Sequence, residues 1–190
     1  MGLDGLEQTN GGFVNTAKLI CIIGAESTGK TTLAQALAVQ FDSFWVPEYL
    51  RAFCESRGRT PTQHEQSMIL KTQVVDEMSA KVKARAHNRP YVFCDTAPLL
   101  TAIYSDVVFA DTTLYPRARA LHSRYALTLL LEPDIAWVAD GIQRDGAHVR
   151  EPVTHRIERE LAAVNAPVVR VRGHGDARVQ AAAQAVRGIT

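Results

Sequence analysis

The stretch GAESTGKTT, Gly24 to Thr32, constrains the chain more than any other. Gly24, Gly29, Lys30 and Thr31 fit the spacing GxxxxGK[ST], in which backbone N–H groups wrap the phosphates of a nucleotide and the hydroxyl after the lysine reaches Mg²⁺. Both glycines can take positive φ and let the backbone approach phosphate with no Cβ in the way. Ahead of the loop, KLICII at 18–23 is a short apolar run rich in β-branched residues, which predicts a buried parallel strand. Behind it, Leu33, Ala34, Leu37, Ala38 and Phe41 recur at helical spacing, which predicts a helix at 30–41 whose N-terminal dipole favours phosphate. Gly24, Ala25, Glu26, Ser27, Thr28, Gly29, Lys30, Thr31 and Thr32 are therefore the candidate ATP-binding residues.

Glu26 is the exception inside that loop. An ionised carboxylate beside a triphosphate is strongly repulsive in a low-dielectric site. Its side chain is expected to point away from the nucleotide, facing an acceptor pocket or pairing with Arg51 across the strand ends, while its N–H still serves phosphate.

The rest of the chain alternates strand and helix. Further strands are predicted at FWVP, at YVFC (91–94), at ALTLLL (126–131) and at VVRV (168–171). A helix begins at Glu48, and a long one spans about 62–87, where Met68, Ile69, Val75, Met78 and Val82 are read as its buried face. Helical periodicity returns at Ile157, Leu161 and Val164, and at Val179, Ala183 and Val186. This order predicts an α/β domain with a central parallel five-stranded sheet covered on both faces, at residues 17–190, after a flexible tail at 1–16. Ligands in such sheets sit beyond the carboxyl ends of the strands.

That edge selects the chemistry. PEYLR brings Glu48, Tyr49 and Arg51 to it, and CDT brings Asp95 and Thr96. Asp95 after an apolar strand suits a carboxylate that shares Mg²⁺ with the Thr31 hydroxyl; the alternative is an Asp that caps the next turn. Glu48 is either a general base for an attacking hydroxyl or the ion-pair partner of Arg51. Residues 133–152 combine two glycines, two prolines and several charges, a composition that suits a lid. Within it Arg144 and Arg150 are candidates to close over the transferring phosphoryl group, and Trp137 and Asp140 to contact the acceptor.

Composition narrows the partners. A formal charge of +1 argues against a broad nucleic-acid footprint. No apolar stretch is long enough for a membrane span, and the first 16 residues lack a signal-peptide centre. Cys21, Cys54 and Cys94, odd in number and set among apolar neighbours, are expected as reduced core residues of a cytoplasmic protein.

GAESTGKTTLA, WVPEYLR, FCDT followed by LLT, and AWVADG, in this order, resemble the ribosylnicotinamide kinase domain of the NadR-type proteins of bacterial NAD salvage. The similarity runs from about residue 18 to the last helix. It implies the P-loop NTPase fold of the nucleoside and nucleotide kinases, ATP and Mg²⁺ as cofactors, and transfer of the γ-phosphate to the 5′-hydroxyl of nicotinamide riboside, giving nicotinamide mononucleotide. It also implies a free-standing kinase, since the chain is too short for the adenylyltransferase and DNA-binding domains of the full-length regulators. The sequence departs from the family at several points. Gln143 stands where an arginine is common, with Arg144 after it; Ala97 stands where a second acidic residue is common; and Pro47 and Glu77 fall near positions that supply ring-stacking aromatics in some members. Tyr49, Tyr104 or Trp137 would then stack on the acceptor. The alternatives are a kinase for another nucleoside or small alcohol, and a nucleotide-dependent regulatory NTPase that binds a protein partner. An acceptor pocket distinguishes a kinase from such a switch.

Overall fold

The computed structural model describes residues 17–137 and 149–189. Five parallel strands stand in the order β2-β3-β1-β4-β5: β1 Lys18–Ile23, β2 Phe44–Val46, β3 Tyr91–Asp95, β4 Tyr125–Leu131 and β5 Val168–Val171. The described helices are α1 Lys30–Gln40, α2 Tyr49–Arg57, α3 Gln66–Ala86, α4 Pro98–Phe109, α5 Tyr115–His122, α6 Arg150–Val164 and α7 Gly175–Arg187, with a 3-10 turn at Gln63–Glu65 ahead of α3.

Alternation along the strands builds two cores. Leu19, Cys21 and Ile23 of β1 join Val92, Cys94 and Leu130 under residues of α3 to α6, among them Leu70, Leu100, Ile103 and Ile157. Ile20 and Ile22 join Phe93, Leu127 and Leu129 under Leu33 and Leu37 of α1 and Ala183 and Val186 of α7. The result is the expected three-layer sandwich, in which the apolar central strands are buried on both faces. The three cysteines are free and buried. At the sheet edge, Val168, Val169 and Arg170 of β5 remain exposed.

The strand order reverses between β1 and β3: after β1 the chain runs out to β2, returns through β3, then crosses to β4 on the other side. A crevice opens at the carboxyl ends of strands where the order reverses in this way. Ile22 pairs with Asp95 across that junction, so the end of β3 stands beside the phosphate loop.

The long helix α3 corrects the expected buried face. Of the predicted positions only Ile69 is buried; Met68, Val75, Met78 and Val82 are 37%, 60%, 41% and 66% exposed. The face turned inward carries Gln66, Ile69, Leu70, Gln73, Glu77 and Ala84. Its polar members Gln73 and Glu77 are matched. The Glu77 carboxylate receives Arg124 Nη2 and the Tyr125 hydroxyl, each at 2.8 Å, and the Gln73 carbonyl accepts the Tyr49 N–H at 2.9 Å. Satisfied hydrogen bonds make this polar face the buried one and leave the apolar stripe outside. Glu77 is accordingly tied to the start of β4 and is not an acceptor-facing position.

Candidate functional site

Two left-handed residues, Ser27 at φ 54° and Gly29 at φ 80°, curl the loop between β1 and α1. Such a curl turns successive N–H groups into one concavity suited to an anion. The start of α1 has neither a side-chain cap nor an acidic residue in its first turn, so its free amides remain for a ligand. Gly24 is required for a different reason from the one expected. It does not take positive φ; instead a Cβ there would lie 2.8 Å from Thr28 Oγ1 and 3.0 Å from the Leu131 carbonyl. The end of β4 thus presses against the loop and leaves no room for a side chain.

Across the loop, Thr31 Oγ1 donates to Asp95 Oδ2 at 2.5 Å. Asp95 is 1% exposed, and its other oxygen has no hydrogen-bond partner. Burial raises its carboxyl above the ordinary aspartate range, against the opposing pull of Lys30, the Thr31 hydrogen bond and Arg51. The capping alternative is not realised, because α4 starts after Ala97 without a side-chain cap. A hydroxyl and a carboxylate in contact are hard oxygen donors. They suit Mg²⁺, which takes one or two protein oxygens and completes its shell with water and phosphate. Among the described residues no group of three or more His, Cys, Asp and Glu could hold a metal unaided.

Thr96 follows in an unusual pose. Its φ of 79° is left-handed, costly for a β-branched side chain, and its buried hydroxyl has no hydrogen-bond partner.

The loop and Thr31 border a cleft of about 600 Å³ whose lining includes Ser27 to Thr32, Trp45, Glu48, Arg51, Ile135 and Ala136. Glu48 is the N-cap residue of α2, where the helix dipole favours its negative charge. Lys30 folds back, its Nζ donating to the Ala25 carbonyl at 3.1 Å. Glu26 is 7% exposed and does not belong to the lining. A second cavity, about 290 Å³, lies between α2, α3 and α4 and is lined by Leu50, Thr60 to Thr62, Gln66, Thr101, Tyr104, Val108 and Phe109. Of the candidate stacking residues, Tyr104 lines that cavity, whereas the Tyr49 hydroxyl contacts Met68 Sδ at 3.8 Å. Trp137 is half-buried at the end of a described segment. Asp140, Gln143 and Arg144, with most of the expected lid and the tail at 1–16, lie outside the described residues.

Two arginines lie behind the loop. Arg150 opens α6, and its Nη2 donates to the Ile135 carbonyl at 3.0 Å and to the Ser27 carbonyl at 3.3 Å. Burial lowers its pKa, as does Arg178, while Asp134 raises it. Arg178 on α7 is 5% exposed and binds the Thr28 carbonyl. Neither Arg178 nor Asp134 stood out in the sequence. The glycine pair in RGHGDAR could have marked the turn into α7, but nothing local shows that Arg178 reaches a loop some 150 positions earlier.

A family model described as AAA domain matches residues 19–178. No curated protein matches the chain. Among solved structures, a NadR protein in complex with NR superposes with a TM-score of 0.80 at 24% identity, over 92% of this chain and 52% of that one. A NadR protein in complex with NAD and AMP-PNP gives 0.77 at 22% identity, over 92% and 50%. A deoxyadenosine kinase from M. mycoides, with dCMP and dCDP bound, gives 0.60 at 14% identity, over 90% and 99%. The chain therefore spans about half the length of the NadR chains, and what it shares with all three is the P-loop kinase fold.

Proposed function

The chain belongs to the AAA domain family, matched over residues 19–178, and from that premise we propose that it is an ATP-dependent kinase of a small riboside. Nicotinamide riboside is the leading acceptor and nicotinamide mononucleotide its product. The observation that carries this reading is the cleft itself: Lys30, Thr31 and the phosphate loop share it with Glu48 and Arg51, so phosphate-binding and acceptor-side groups face one space. The resemblance of the motifs to NadR-type kinase domains and the fold shared with NadR structures support the choice of riboside.

In this reading the loop amides and Lys30 hold the β- and γ-phosphates of ATP. Thr31 and Asp95 would hold Mg²⁺, which when bound offsets the negative charge on those phosphates. Asp95 is already engaged by the Thr31 hydroxyl, so Glu48 is assigned as the base. The acceptor's 5′-hydroxyl gives its proton to Glu48 as its oxygen bonds to the γ-phosphorus, and the bond from that phosphorus to the β–γ bridging oxygen breaks to release ADP. Arg51, Glu26 and the Thr96 hydroxyl are assigned to the acceptor side, and the cavity around Tyr104 to its ring. Arg144, Asp140 and Trp137 are assigned to closure over the two substrates, and Arg150 to holding the loop from behind.

The test is ADP formation by the purified chain with ATP and Mg²⁺, screened against nicotinamide riboside, the common nucleosides and water, with products identified by mass spectrometry. Turnover that depends on nicotinamide riboside is expected, with Glu48→Gln about a hundredfold slower. ATP hydrolysis indifferent to every acceptor would replace the kinase with a regulatory switch.

A further inference from the structure

We propose that Arg178 is a positioning residue that keeps the Thr28–Gly29 amide turned toward the β-phosphate of a nucleotide, and that Asp134 holds Arg178 in that pose. The inference rests on reading the loop as an ATP site.

The guanidinium reaches the loop from the first turn of α7. Its Nη1 donates to the Thr28 carbonyl at 2.7 Å, and its Nη2 donates to the Glu132 carbonyl and to Asp134 Oδ1, both at 2.7 Å. A trans peptide is planar, with its C=O and N–H directed oppositely. The Thr28 carbonyl is bound inward by Arg178, so the N–H of Gly29 is directed away from it, toward the side where Thr28, Gly29 and Lys30 line the cleft.

Gly29 is what makes such a lock necessary. Inverting the peptide rotates ψ of Thr28 and φ of Gly29, and glycine accepts either sign of φ. An inverted peptide would aim a carbonyl oxygen at phosphate, turning a hydrogen-bond donor into a repulsive partial charge. Inversion would also leave a buried guanidinium N–H without its acceptor, which disfavours it. The fork geometry matters as much as the charge, because three acceptors on two segments, the loop and residues 132–134, must be met from one plane. Asp134 supplies the anchor: its Oδ1 holds Arg178 and its Oδ2 accepts the Gly173 N–H at 2.7 Å, which ties the end of β4 to the turn before α7.

Gly29 directly precedes Lys30, the residue that reaches the β- and γ-phosphates, so its amide serves the β-phosphate, which AMP lacks. The experiment is an NMR titration of the full chain with ADP and with AMP in the presence of Mg²⁺, for the natural protein, Arg178→Met, Arg178→Lys and Asp134→Asn. Arg178→Met is expected to weaken ADP about tenfold or more and AMP less than about twofold. Arg178→Lys keeps the charge without the fork and is expected to stay at least about fivefold weak for ADP. Asp134→Asn is expected to fall between Lys and the natural residue. The Gly29 amide signal should move on ADP addition in the natural protein and much less in the variants. Equal losses for ADP and AMP, an unaltered ADP affinity, or a Gly29 signal indifferent to ADP would each overturn the proposal. If Arg178→Met does not fold, the Lys and Asn variants carry the same comparison. Failure of the natural protein to bind ADP or ATP at all is a separate outcome, read before any variant, and defeats the kinase reading itself.

Discussion

Asp95 sits in surroundings that disfavour its charged form, burial outweighing the pull of Lys30, the Thr31 hydrogen bond and Arg51. Its folded-state pKa lies above the ordinary aspartate value, so between those two values the folded chain binds more protons than the unfolded one. Stability therefore falls as pH rises through that window, and above it the ionised carboxylate costs stability. Asp95→Asn keeps an oxygen that can accept from Thr31 and removes the charge. It is expected to raise the thermal midpoint of the ligand-free protein while slowing Mg²⁺-dependent ATP turnover roughly a hundredfold or more. Calorimetric scans and a coupled ADP assay check both halves, and a variant that is both less stable and fully active would refute the assignment. Thr96 next to it shows the same trade, since a left-handed threonine with an unmatched buried hydroxyl is tolerated where a ligand can make use of it.

His122 closes α5 against β4. Its ring is fully buried, with Nε2 in contact with Thr128 Oγ1 at 2.9 Å, and burial lowers its pKa to about 4, helped by nearby Arg124. The folded state thus favours neutral imidazole. The unfolded chain binds the extra proton between its ordinary value near 6.5 and about 4, so this contribution is complete above that window and is lost as pH falls through it. The loss amounts to about 3 kcal/mol by pH 4. Urea midpoints measured at pH 7 and pH 5 should draw closer together in His122→Asn than in the natural protein. The fate of each element shows what a linear reading can reach. β1, α1 and β3 announce themselves because loop, apolar run and helical period coincide, and Asp95 follows from its place at a strand tip. α4 gave no period because it is apolar on nearly every side, with Leu99, Leu100, Ala102 and Ile103 all buried. α5 is only eight residues long and rich in charge. On α3 two faces have helical spacing, and the choice between them depends on Arg124 and Tyr125, which lie far along the chain. The same holds at the site: the phosphate loop is local and legible, whereas Arg178, Asp134 and the pressure of Leu131 on Gly24 exist only once the sheet is assembled.

The whole molecule places its chemistry at one pole. Phosphate loop, Asp95, Glu48 and the base of the 133–152 segment gather at the carboxyl ends of the strands, with the two cores behind them. At the opposite pole Lys18, the first residue of β1, donates through its Nζ to the carbonyl of Ile189, just beyond α7. The two ends of the described residues therefore meet, far from the cleft. Circular permutation should be tolerated: a short glycine-rich tether from Ile189 to Ala17, with new termini cut at the exposed turn around Gly58, leaves every strand pairing in place. Such a permutant is expected to unfold in a single cooperative step and to bind ADP within about threefold of the natural chain. By the same geometry, a reporter domain inserted at that seam would be carried on the side of the molecule facing away from the cleft.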